Sequence, residues 1–175
     1  MVRRNWLLGI WAAAALPGCG FALRQPPNFA FRTIYLQTPE GSGLGPDLAR
    51  ALGFNRSVRV LRLPSERASA DVILDIRSEQ REKIVAGLNA AGQVREFQLR
   101  LRTRFRLTTP QGRELIPETE LSLLREIGFT ESAALAKEEE EALLYRDMRS
   151  DMVQQLMRRL AALGSLKTGA GPLER

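Results

Sequence analysis

Apolar and charged residues alternate most regularly between Gln93 and Thr109. Phe97, Leu99, Leu101, Phe105 and Leu107 hold odd positions, while Gln98, Arg100, Arg102, Arg104 and Arg106 hold even ones. Successive side chains of a strand point to opposite faces, so this segment predicts a strand with one buried face and one wet face bearing four guanidinium groups. Pro110-Gln-Gly112 then turns the chain into a second alternating run, Arg113 to Ile127, with Leu115, Leu121, Leu123 and Ile127 in phase. A three-residue loop with Gly112 left-handed sets residue 109 opposite 113. In that register Leu101 faces Leu121, Leu99 faces Leu123, Arg104 faces Glu118 and Arg102 faces Glu120. Each such charge pair contributes roughly 0.2–1 kcal/mol. Arg100 faces Ser122 and Arg106 faces Ile116, which leaves these two unpaired and available to a ligand.

The remaining elements follow from the same pattern. Phe31 to Thr38 reads as a strand through Ile34 and Leu36, and Val58 to Leu63 as a short additional strand. Between them, Gly41-Ser-Gly-Leu-Gly-Pro46 leads into a short helix, Asp47 to Leu52, with Pro46 at its first position. The spacing is G-x-G-x-G-P and no Lys-Ser/Thr follows, so this is a turn rather than a phosphate loop. Asp71 to Leu88 is a long strand, with Val72, Leu74 and Ile76 on one face and Ile84, Ala86 and Leu88 later in the same parity. The polar stretch Ser78 to Glu82 between them suggests a bulge. Asn89-Ala-Ala-Gly92 is a hairpin turn.

Leu144, Met148, Met152, Leu156, Leu160 and Leu163 recur at three- and four-residue steps, an apolar stripe on a final helix that packs on the sheet. Thr130 is its expected cap, Arg158 and Arg159 suit its C-terminal dipole, and Gly164 is expected to end it. The methionines read as core. The fold class is therefore α+β: a mainly antiparallel four-stranded sheet, with the short strand as a candidate fifth, and two helices packed on one face.

Composition narrows the chemistry. The 175 residues contain one cysteine and no histidine, which removes Ser-His-Asp and Cys-His catalysis, histidine-ligated metals and internal disulfides. Lys83, Lys137 and Lys167 lie in no Ser-x-x-Lys arrangement, so the expectation is a non-enzyme with no cofactor and no metal. Glu138 to Glu141 point nearly all round a helix and cannot converge on one ion. The net charge is +6, with 23 arginines and three lysines. A planar guanidinium binds phosphate bidentately, so a polyanion suits this chain: nucleic acid, an anionic membrane or a phosphorylated glycolipid. Stacking platforms for single-stranded nucleic acid are scarce at 6% aromatic residues.

The N-terminus selects among these. Met1-Val-Arg-Arg4 is a cationic start and Trp6 to Leu16 an apolar run of signal-peptide length, too short to span a bilayer. Leu16-Pro17-Gly18-Cys19 follows and resembles the lipobox of bacterial lipoproteins. There the cysteine receives diacylglycerol, the leader is cut and the new N-terminus is acylated, commonly with palmitate. Two or three acyl chains make a durable anchor where one is marginal. Gly20 rather than Asp after the cysteine implies export to the outer membrane, which argues against nucleic acid. Removing residues 1–18 takes away Arg3 and Arg4 and leaves 157 residues at +4. The expected organisation is a signal peptide over 1–18, a lipidated tether over 19–30 containing Pro26-Pro27, one domain over 31–163 and a disordered tail over 164–175.

Three further segments carry a family resemblance. Cys19-Gly20-Phe21-Ala22-Leu23-Arg24 resembles the start of LptE, the lipopolysaccharide-assembly lipoprotein of Gram-negative outer membranes, formerly rare lipoprotein B. Gly92-Gln93-Val94-Arg95-Glu96-Phe97-Gln98 is similar to that family's hairpin turn and following strand. Ala134-Leu135-Ala136-Lys137 with its acidic run, and Gln155-Leu156 with Arg159-Leu160, resemble its last helix. The resemblance implies an outer-membrane protein facing the periplasm and the lumen of the β-barrel LptD, which it plugs and helps assemble while binding lipopolysaccharide. It further implies lipopolysaccharide contact at Lys137. At the hairpin tip Ala90 stands where a basic residue is expected, and Arg95 is the substitute. Arg100 and Arg106 complete the expected contacts. The alternative is a lipoprotein scaffold of another envelope complex without a lipid ligand.

Overall fold

The structure, a computed structural model, describes residues 27–130 and 134–169. The expected leader, Cys19 and the last residues of the expected tail lie outside them. The chain forms β1 (Thr33–Gln37), α1 (Leu44–Gly53), β2 (Arg59–Leu61), a 3-10 helix (Pro64–Ser69), β3 (Val72–Leu88), β4 (Val94–Thr108), β5 (Glu114–Gly128) and α2 (Ala134–Gly169).

The strands make one five-stranded sheet in the order β2-β1-β3-β4-β5. The expected, mainly antiparallel four-stranded sheet with a candidate fifth strand is met in its strand count and corrected in its direction. The short fifth strand is present, and the sheet is mixed, because β1 runs parallel to both β2 and β3. The reason lies in the connections: α1 carries the chain back to the end of the sheet where β1 began, so β2 enters in the same direction. The long β3-β4-β5 meander is antiparallel throughout. Its turns are tight, with Gly92 at φ +78° and Gly112 at φ +87°, conformations that cost glycine nothing.

Both helices lie on one face. The stripe expected on α2 is buried at Met148, Met152, Leu156 and Leu160, and Met157 joins it. These side chains meet Leu99, Leu101, Phe105 and Leu107 of β4 and Leu44, Leu48 and Leu52 of α1. A smaller cluster of Tyr35, Leu61, Ala70 and Ile73 holds the opposite face beside the 3-10 helix. Pro46 is the third residue of α1, not the first; Glu79 of β3 binds the start of the helix instead. Its Oε2 accepts from Ser42 Oγ (2.7 Å) and from Leu44 N (3.1 Å), a negative charge where the helix dipole favours one.

The helix end was misassigned by the sequence pattern. Gly164 does not stop α2, which continues to Gly169, so Arg158 and Arg159 stand well before its last turn. A Cβ on Gly164 would lie 3.2 Å from the carbonyl oxygen of Asn28. This glycine therefore serves close approach between helix and incoming chain. The end of the expected tether is docked here: Phe29 and Phe31 are buried, their ring centroids 5.3 Å apart. At the other end α2 is described from Ala134 onward, and the junction at which Thr130 is expected to cap it lies outside the described residues.

Candidate binding surface

The side of the sheet taken by the β3 cations depends on a bulge in that strand. Pairing with β4 steps from Ile76–Phe105 to Ser78–Arg104, which leaves Arg77 extra and reverses the parity of Ser78 to Val85, before a second irregularity at Ala86. The bulge was expected slightly later, with Ile84, Ala86 and Leu88 returning to the core. Instead Arg81 and Lys83 share the helix side with Leu101 and Leu99, and Ile84 faces the open side at 40% exposure. The helix-side position nearer the hairpin, Val85, is 48% exposed, and Leu88 is 61% exposed.

On the open face the four arginines of β4 form a ladder, with all four paired. Arg102 binds Glu82, Arg100 lies 3.5 Å from the same carboxylate, Arg104 binds Glu120 at 3.0 Å and Arg106 binds Asp75 at 3.1 Å. The expectation that Arg100 and Arg106 are unpaired is thus corrected. Their partners come from β3, which pairs with the other edge of β4. The hairpin register also differs. Residue 109 does sit opposite 113, with Thr109 N donating to Arg113 O at 2.9 Å. Two irregularities around Ile116 and Thr119 then each insert one residue into β5, so Arg104 faces Glu120 and Leu101 faces Leu123. A shift of two keeps each side chain on its expected face. Pro117, which has no N–H to give a ladder, sits inside that irregular stretch on an edge strand.

The end of the sheet at the 89–93 turn gathers a different group. Lys83 Nζ sits 4.4 Å from the Phe97 ring centroid and 2.6 Å from Glu141 Oε2 of α2. The Arg81 guanidinium lies 5.3 Å above the Tyr145 ring, and Tyr145 donates its O–H to the Glu82 carbonyl at 2.8 Å. Burial, with Glu141 and then Glu82 nearby, raises the Tyr145 pKa, and Arg81 opposes them. Arg81, Lys83, Glu141 and Tyr145 line a cleft of about 520 Å³ between β3 and α2. Lys137 of α2 binds Glu140 at 2.7 Å. Arg95, exposed at the start of β4, is the extra residue where the pairing steps from Gly87–Glu96 to Leu88–Val94 beside the turn. Exposed Leu135 and Leu88 belong to the same end. The structure thus brings Lys137 and Arg95 to one end of the molecule and sets Arg100 and Arg106 on the opposite face. Arg81 and Lys83 were missed; only the bulge reveals their side of the sheet. Among the described residues no three carboxylates or thiols gather to hold a metal ion.

The fold has counterparts. The lipopolysaccharide-assembly family LptE matches residues 31–160. The chain belongs to the LptE family. A solved relative, uncharacterized lipoprotein B from Nitrosomonas europaea, is 35% identical, covering 83% of this chain and 93% of its own, with a TM-score of 0.72. Rare lipoprotein B from Shewanella oneidensis shares the fold at 19% identity and TM-score 0.65, covering 78% of this chain and 99% of its own. A minor lipoprotein from Acinetobacter baumannii shares it at 16% and 0.60, covering 77% and 94%. Among curated proteins none matches. The LptE family is one of envelope lipoproteins without enzymatic activity, and no described helix here is long and apolar enough to cross a membrane.

Proposed function

We propose that this LptE-family protein is anchored in the outer membrane through a lipidated Cys19, plugs and helps assemble the LptD β-barrel, and binds lipopolysaccharide as it passes to the outer leaflet. The observation that carries this reading is the hairpin end, where Arg81, Lys83, Arg95 and Lys137 stand beside exposed Val85, Leu88 and Leu135. Lipopolysaccharide is an anionic amphiphile, and a site for it needs cations and apolar contacts together. Lys83 and Lys137 already hold carboxylates, but such exposed pairs are worth only about 0–1 kcal/mol each. A multiply charged lipid A phosphate group displaces them readily. Arg100 and Arg106 join only by exchanging Glu82 and Asp75 for phosphate.

The deciding variant is the double change Lys137→Glu, Arg95→Glu. It should lose lipopolysaccharide in a pull-down and still recover LptD; undiminished lipopolysaccharide would remove both residues from the contact. Fatty-acid labelling should mark the wild-type product and leave Cys19→Ser unmarked. Affinity purification from detergent-solubilised outer membrane separates the competing reading: a barrel of LptD size supports the proposal, and peptidoglycan or another complex in its place supports a scaffold role.

A further inference from the structure

The end of the molecule opposite the hairpin holds positive charge that the fold does not neutralise. Arg32, Arg56, Arg59, Arg113 and Arg158 are all exposed, and their guanidinium groups make no ion pair among the described residues. The sheet register brings most of them together. Arg59 N donates to the Arg32 carbonyl at 2.8 Å, and Arg59 pairs with Thr33 across β1-β2. Arg32 and Arg113 line one recess of about 450 Å³ with Thr109 and Leu163. The acids here offer little compensation. Asp71 turns its Oδ2 onto the backbone N–H groups of Arg32 (2.8 Å) and Thr33 (2.9 Å), and the Arg32 charge is the weakest of the influences on that carboxylate.

A second observation has a different chemistry. Phe54, at the end of α1, is 82% exposed, the most exposed of the large apolar side chains described. It lines a groove of about 780 Å³ with Pro27, Met157 and Arg158, and Arg56 is two residues on. Asn55 fixes this loop to the incoming chain, its Nδ2 donating to the Pro27 carbonyl at 2.6 Å. An exposed ring near Arg56 and Arg158, which make no ion pair, and beside the Asp47–Arg50 pair suits the headgroup boundary of a bilayer. Cys19 lies eight residues before Pro27, so an anchor there reaches at most about 29 Å from this end.

We propose that the face formed by Phe54, Arg32, Arg56, Arg59 and Arg113 lies on the anionic phospholipid surface of the leaflet that holds the anchor, with Phe54 entering the headgroup layer and the arginines pairing with lipid phosphates. The proposal uses the Cys19 anchor to select a membrane as occupant, but its test does not need the acyl chains. The chain from residue 19 onward, with Cys19→Ser and every described residue retained, is sedimented with phosphatidylcholine vesicles and with vesicles that also contain phosphatidylglycerol. Binding should require phosphatidylglycerol and fall with salt. Arg56→Gln with Arg59→Gln should weaken it about fivefold per arginine. Phe54→Ser should weaken it with the salt dependence preserved, and the ladder variant Arg104→Gln should bind as the parent does. Equal binding to both vesicles, equal loss in Arg104→Gln, no binding at all, or tighter binding to duplex DNA than to the vesicles would each overturn the proposal. Fatty-acid labelling of the wild type reads the anchor separately.

Discussion

Asp71 closes the junction between β1 and β3 with one carboxylate oxygen. The two backbone N–H groups of Arg32 and Thr33 hold its pKa below the usual carboxylate value. A depressed folded pKa means stability that is present above the unfolded value, about 3.9, and lost as pH falls through the folded one. Asp71→Ala should cost about 1 kcal/mol at neutral pH, since the site is largely solvated. The gap between variant and parent in urea unfolding should shrink below about pH 4. Tyr145 acts with the opposite sign. Its raised pKa favours the neutral phenol, so stability declines as pH rises above about 10, where the unfolded tyrosine ionises first. Absorbance at alkaline pH should show a late-titrating tyrosine that Tyr145→Phe removes; a curve unchanged by that substitution would contradict the assignment. Gly164 shows why a residue type alone misleads. A glycine near the end of an apolar stripe reads as a helix stop, and only the Asn28 carbonyl against it gives the real constraint. Gly164→Val should therefore destabilise through that contact, beyond the roughly 0.5–1 kcal/mol range of ordinary helix propensity changes.

α2 and the meander were legible where one local rule governs them. A stripe at three- and four-residue steps needs no partner to be recognised, and Met152 is fully buried as that stripe requires. Met152→Ala should cost about 2–5 kcal/mol. Leu143, on the same helix at 50% exposure, should tolerate Gln within about 0.5 kcal/mol. Similar losses at both positions in thermal unfolding would mean that the helix is oriented otherwise. The strands were legible in their faces but not in their neighbours. Alternation along β4 gives the buried set Leu99, Leu101, Phe105 and Leu107 without knowledge of what lies beside it. It cannot reveal that β1 docks in parallel, because that depends on where α1 returns the chain. Nor does it reveal the extra residue at Arg77, since a charged residue at a bulge looks like any other in a charged run. That single residue decides whether Arg81 and Lys83 face the helices or the open sheet, so the candidate site was the least readable part of the sequence.

Among the described residues three groups of cations differ in their pairing: the β4 row on the open face is ion-paired, the hairpin-end group is partly paired, and Arg32, Arg56, Arg59, Arg113 and Arg158 at the tether end make no ion pair. Counting charge from the sequence gives only their sum, and the +6 total does not reveal that every arginine of the most regular row has a carboxylate beside it. Glu82 is central to that pairing, because it holds both Arg100 and Arg102. Glu82→Gln leaves the backbone carbonyl that receives Tyr145 in place and removes one negative charge between two arginines. The exposed parts of these pairs set a stability cost of about 1 kcal/mol or less. If Arg100 can turn to lipid phosphate, freeing it removes the competing carboxylate, and lipopolysaccharide affinity should rise severalfold with a steeper salt dependence. Arg106 keeps Asp75 in this variant and serves as an internal reference. A binding titration that gives the parent affinity for Glu82→Gln would assign the ladder to sheet stability alone and leave the hairpin-end cations, Lys137 and Arg95 among them, as the lipopolysaccharide contacts.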